Sequence, residues 1–124
     1  MFEKLASPDQ VAAVKISGTM TGADYDQVIA EVEGKLARHE RIGVMLDLSD
    51  FKDFTCDAAW KDIKYDLSKL HELKRFPREA IITDTAWMRV AAEIADPLIP
   101  HVEIRAFAPG EREAAMAWVA EVDA

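Results

Sequence analysis

Among the side chains able to do chemistry in this chain, the densest group falls between Leu46 and Trp60, in LDLSDFKDFTCDAAW. It holds the carboxylates of Asp47, Asp50, Asp53 and Asp57, the hydroxyls of Ser49 and Thr55, and the sole cysteine, Cys56. A thiol at a helix start can have a lowered pKa and act as a nucleophile or redox sensor. Nucleophilic catalysis also needs a base, and no histidine lies near Cys56 in sequence. Cys56 shares a helical stripe with Trp60 and Ile63, so a buried, inert thiol is the expectation. The aspartates lack the glycine and closing glutamate of a calcium loop. His39, His71 and His101 lack ligand spacing, and His101 with Glu103 would give only two groups on one strand face. No catalytic residue, metal or cofactor is expected. Thr55 and Asp57 suit the cap and the positive dipole end of a helix. Gly18-Thr-Met-Thr-Gly22 lacks the lysine of a phosphate loop and reads as a strand-to-helix turn.

The frame that must position these groups is bounded by size and charge. A chain of 124 residues suits a single domain over residues 1–124. A formal charge of -8 disfavours nucleic acid, whose binding depends on clustered Lys and Arg. One cysteine cannot form an internal disulfide, and MFEKLASPDQ lacks the apolar core of a signal peptide, so a cytoplasmic location is expected. The apolar runs are far shorter than the roughly 20 residues a bilayer-spanning helix needs.

Periodicity supplies the elements. Val11 to Ile16 alternates as a strand, with Phe2 to Leu5 placed to pair with it. Thr21 and Asp24 form a capping pair ahead of Tyr25, Val28, Ile29, Val32 and Leu36 at helical spacing. Ile42 to Leu46 is apolar on both alternating faces, as a central parallel strand requires. A second helix follows Thr55, its apolar stripe comprising Cys56, Ala59, Trp60, Ile63, Leu67 and Leu70 and its polar side including Asp62. A strand at Ala80-Ile81-Ile82, a helix from Trp87 to Ile94 stopped by Pro97 and Pro100, a strand from His101 to Phe107 and a helix opened by Pro109-Gly110 complete the chain. The expected order is β-β-α-β-α-β-α-β-α, an α/β fold with a mixed, mostly parallel sheet of about four to five strands and four helices.

This order, with VMLDLSDFKDF at the third strand, resembles the STAS domain of bacterial anti-sigma factor antagonists and the SpoIIAA-like family in particular, whose shape is similar to the lipid-binding Sec14 domains. The resemblance implies a regulatory or ligand-binding domain rather than an enzyme. In the antagonists the helix after this strand starts with a serine that is phosphorylated. Here the matching positions read Thr55-Cys56-Asp57-Ala58, without serine, which speaks against a phosphorylation cycle.

Ligands in open α/β sheets gather beyond the carboxyl ends of parallel strands. Thr55 stands beyond one such end, and Thr83 and Thr85 beyond the next. The third helix carries more apolar surface than one sheet face can hide, through Trp87, Met88, Leu98 and Ile99. The basic cluster from Lys69 to Arg78 is placed to meet an anionic head group or bilayer surface. These features give the expected site: Thr55, Trp60, Thr83, Thr85, Trp87, Met88, Leu98 and Ile99, taking an apolar or amphipathic small molecule or lipid between the second and third helices, with peripheral membrane contact from the same surface. The alternative is a protein-interaction module, such as a homodimer, using the third-helix patch.

Overall fold

A computed structural model describes residues 1–99 and 101–123, excepting the side chains of His71, Trp87, Ala91, Ile94, Ala95, Asp96, Leu98 and Asp123. Five strands form the main sheet: β1 (Phe2–Lys4), β2 (Val11–Ile16), β4 (Gly43–Asp47), β6 (Arg78–Ile82) and β7 (Glu103–Phe107). They lie in the order β1-β2-β4-β6-β7, with β1 antiparallel to β2 and every other pairing parallel. The doubly apolar Ile42 to Leu46 segment thus sits at the centre, covered on both faces as its composition demands. Two short strands absent from the expected order, β3 (Gly18–Met20) and β5 (Phe51–Phe54), pair in parallel as a separate ribbon. The residues expected to form a turn and an acidic loop are therefore partly strand.

One face of the sheet is closed by α4 (Arg112–Val119), whose Ala115 and Val119 pack on Val11, Ala13, Met45, Ala80 and Ile82. Gly43 allows this approach, because a Cβ there would collide with the Val119 backbone carbonyl. The other face receives α1 (Gly22–Leu36), started by the expected reciprocal cap between Thr21 and Asp24. Its Val28, Val32 and Leu36 pack on Ala12, Val14, Ile16 and Val44.

The third helix, α3 (Ala86–Leu98), packs against β7 and carries Pro97 within its last turn, four residues beyond the expected Ile94 end. Pro97 has no N–H to give to the Glu93 carbonyl, so the turn that holds it closes without that bond, and the helix ends one residue later. The second helix, α2 (Cys56–Ser68), departs most from expectation. It is tied to α1 by polar contacts: the Tyr25 hydroxyl donates to Asp62 at 2.8 Å, the Tyr65 hydroxyl to Glu33 at 3.0 Å, and Lys61 pairs with Asp26 at 2.8 Å. Beyond its C-terminus, Lys69 reaches Glu33 at 3.0 Å. The apolar stripe of α2 consequently faces outward, with Trp60 59%, Ile63 51%, Leu67 63% and Leu70 60% exposed. Cys56, expected to be buried on that stripe, is exposed with it. Tyr65, off that stripe, is half-buried against the α1 core.

Candidate functional site

Because polar ties hold α2 to α1 rather than an apolar face holding it to the sheet, a cavity of about 790 Å³ opens beneath it. That volume lies within the range of small-molecule pockets, roughly 300–1,000 Å³. Its floor is the sheet face of Val44, Leu46 and Ile104, one wall is α1 through Val28 and Val32, and Met88 and Ile99 close the far end. Ile63 and Leu70 line it while also showing at the outer surface.

The polar groups lining the cavity are Tyr25, Asp62, Tyr65, Asp66, Lys69 and Glu79. Glu79 is the least expected. It stands in β6 between Val44 of β4 and Ile104 of β7, at a position where a sheet covered on both faces ordinarily carries an apolar residue. Its carboxyl makes no hydrogen bond or ion pair among the described residues. Among the described residues no buried side-chain oxygen lacks a partner, so the Glu79 oxygens must open onto the cavity, which explains why a side chain enclosed by protein keeps partial accessibility. Burial, and then repulsion from Asp66 and Asp62, pushes its pKa from 4.5 to about 7. Asp66 is likewise pushed up from 3.8 to about 6, by burial and then by Asp62. Asp66 is itself exposed, so water screens part of that effect. Burial, and then the contact with Asp62, raises the Tyr25 hydroxyl above its ordinary range, which keeps it a donor.

Of the residues expected to form the site, Met88 and Ile99 line the cavity. Thr55 is occupied as the cap of α2, accepting from the Ala58 amide at 3.3 Å and donating to Asp57 at 2.5 Å. Trp60 points outward beside Lys64. Thr83 is fully buried, accepting from the Thr85 amide at 3.0 Å and donating to the Met88 sulfur at 3.5 Å, so it supports the start of α3 from behind. Thr85 carries the first turn of α3, its carbonyl accepting from the Arg89 amide. Thr55, Trp60, Thr83 and Thr85 therefore do not line the cavity. The side chains of Trp87 and Leu98 lie outside the described residues.

Three side chains of the basic cluster are used internally, while Lys74 is exposed. Lys69 pairs with Glu33 and Glu72, Arg75 donates to the carbonyls of Leu36, His39 and Glu40, and Arg78 reaches Glu121 and the Trp118 carbonyl. The Asp-x-Ser turn at the strand end is structural too. Asp47 is fully buried, accepts from the Ser49 amide at 3.0 Å and hydroxyl at 2.6 Å, and pairs with Arg112 of α4. Burial alone would raise its pKa, but the Ser49 bonds and Arg112 together hold it below the ordinary value. Among the described residues no group of three or more His, Cys, Asp or Glu is arranged to hold a metal.

A sequence model of the SpoIIAA-like family matches residues 11–120, spanning the five-stranded sheet's β2 to β7 and all four helices. The chain belongs to the SpoIIAA-like family. An uncharacterized SpoIIAA-like-fold protein from Shewanella loihica PV-4 is similar over 96% of this chain and 92% of its own, at 28% identity and a TM-score of 0.73. The anti-sigma factor antagonist SpoIIAA in its unphosphorylated form shares the fold over 92% of this chain and 94% of its own, at 11% identity and a TM-score of 0.63. No curated protein matches the chain. The expected α/β architecture, with its mostly parallel five-stranded sheet and four helices, is that of this family.

Two features of the cavity escaped the sequence reading. The alternation in β6 puts Glu79 and Ile81 on one face and Ala80 and Ile82 on the other, so a sheet covered on both sides places a carboxylate inside. Asp62 and Asp66 stand four apart and share a helical face, but that face was expected to meet water.

Proposed function

We propose that this SpoIIAA-like protein is a non-enzymatic domain that binds an apolar or amphipathic small molecule in the cavity beneath α2, and meets a membrane surface with the outer stripe of that helix. The cavity carries the reading: about 790 Å³ of mostly apolar-walled space under a helix that turns Trp60 and Leu67 away from it and leaves Ile63 exposed at its edge. Full burial of a large apolar side chain is worth about 1.5–3 kcal/mol, so each half-exposed residue of the stripe forgoes roughly 1 kcal/mol. A contiguous exposed stripe on this scale usually marks a binding surface. No helix among the described residues is long and apolar enough to cross a membrane, so contact of this kind would be peripheral.

A second reading is favoured by the stripe itself. Trp60 and Leu67 show at the surface rather than inside the cavity, and a large aromatic with an aliphatic neighbour also suits the centre of a protein interface. On this view the domain is a regulatory interaction module or a homodimer, the class of role borne by the antagonist whose fold it shares.

Mass spectrometry of small molecules extracted from natively purified protein, together with liposome flotation of the wild type and Leu67→Asp, tests both. Co-purified amphiphile and flotation lost in Leu67→Asp support the first reading. A dimer that Leu67→Asp converts to monomer, with neither ligand nor flotation, supports the second.

A further inference from the structure

Among the described residues the cavity has three donor side chains, each already engaged, whereas two of its carboxylates are not. Tyr25 donates to Asp62 at 2.8 Å and Tyr65 to Glu33 at 3.0 Å, while Lys69 lies 3.0 Å from Glu33 and 3.2 Å from Glu72. Glu79 and Asp66 bind no side-chain donor among the described residues. A ligand with a carboxylate or phosphate head would meet a negative field and, among the described residues, find only a lysine already paired with two glutamates. A ligand bringing N–H groups and positive charge would complete both acceptors. Resting on the reading of the cavity as a ligand site, we propose that its occupant is a cationic amphiphile, a protonated amine on an apolar tail, with its ammonium held by Glu79 and Asp66 beside Asp62 and its tail lying along Val44, Leu46, Ile104 and Met88.

The groups facing Glu79 make the pairing selective. From α2 come Asp62, Asp66 and Tyr65, the last donating to Glu33; Lys69, just past the end of α2, is neutralised by its two glutamates; α1 offers the un-ionised Tyr25; β4 and β7 offer the apolar Val44, Leu46 and Ile104. Their raised proton affinities follow from this lack of a cation and add a signature. An ammonium ion favours the ionised carboxyls, so its binding near pH 6.5 should expel protons.

The test is calorimetric titration of the full chain with dodecylamine, 1-dodecanol and dodecanoate below their micellar concentrations, in buffers of different ionisation enthalpy. At pH 7.5 the amine is expected to bind roughly tenfold or more tightly than the alcohol, with dodecanoate weakest. Near pH 6.5 amine binding releases protons and alcohol binding does not. Glu79→Gln and Asp66→Asn each reduce the preference for amine over alcohol, while Glu113→Gln, an equal change of charge on the exposed far side, leaves it intact. Equal affinity for amine and alcohol, tightest binding of dodecanoate, or a preference lost equally in Glu113→Gln overturns cation selectivity and leaves the ligand site standing. Failure of all three probes to bind overturns the ligand site itself, and the inference with it.

Discussion

Replacing Glu79 with glutamine keeps the shape of the side chain and removes its ability to ionise, which isolates the cost of a carboxylate inside the sheet. A shift from 4.5 to about 7, at about 1.4 kcal/mol per tenfold change in proton affinity, corresponds to about 3 kcal/mol. The opening of the carboxyl onto the cavity lets water screen part of this, so roughly 1–2 kcal/mol is the expected effect. The sign follows from linkage: the folded state binds the proton more tightly than the unfolded one, so the stability contributed by the neutral acid is fully present below pH 4.5 and is lost as pH rises through about 7. The raised Asp66 acts in the same direction over a lower window, from 3.8 towards about 6. Urea denaturation of wild type and Glu79→Gln at pH 5 and pH 8 measures the difference. Near pH 5 the two should be similar, and at pH 8 the variant should be more stable by roughly 1–2 kcal/mol. A difference independent of pH, or a variant less stable at pH 8, would refute the placement of Glu79 in a poorly solvated, cation-free site.

Arg112→Ala removes the partner of the fully buried Asp47 and leaves its Ser49 bonds; since Arg112 is half-exposed, a cost of about 2 kcal/mol is expected, below the usual range for a buried pair, read by thermal or urea unfolding. Asp47 has the opposite sign to Glu79: its lowered pKa makes its contribution vanish as pH falls below 3.8, so the gap between Arg112→Ala and wild type should narrow in acid. Gly43→Ala pushes a methyl group into the Val119 carbonyl of α4 and should destabilise by about 2 kcal/mol or more in the same assay. Tyr25→Phe deletes the donor to Asp62, and should cost about 1 kcal/mol and raise amide exchange selectively in α2, measured by hydrogen–deuterium exchange.

Much of the frame is legible because it rests on local rules. The doubly apolar Ile42 to Leu46 can only be a covered strand, and Thr21 with Asp24 can start only one helix. The ribbon of β3 and β5 has no such signature: three and four residues pair across a gap of about thirty, and Lys52 and Asp53 between the two phenylalanines read as loop charge. The site was harder, since helical periodicity assigns the apolar stripe of α2 to the interior. What overrides it is long-range and polar: Tyr25, Asp26 and Glu33 on α1 bind Asp62, Lys61 and Tyr65 on α2, leaving the stripe largely exposed and setting the acids at the edge of the cavity. No pattern within α2 contains that information. Glu79 was legible in principle, but only once both faces of β6 are known to be covered.

The central claim is that α2, bound to α1 by polar contacts, stands off the sheet over a space open to a small amphiphile. Methyl NMR of the labelled protein titrated with 1-dodecanol tests it directly. Saturable shifts at Ile63, Met88 and Ile104, with Met45, Ile82 and Val119 on the opposite face unmoved, are the expected result. Shifts confined to the outward Leu67, or none at all, would contradict it.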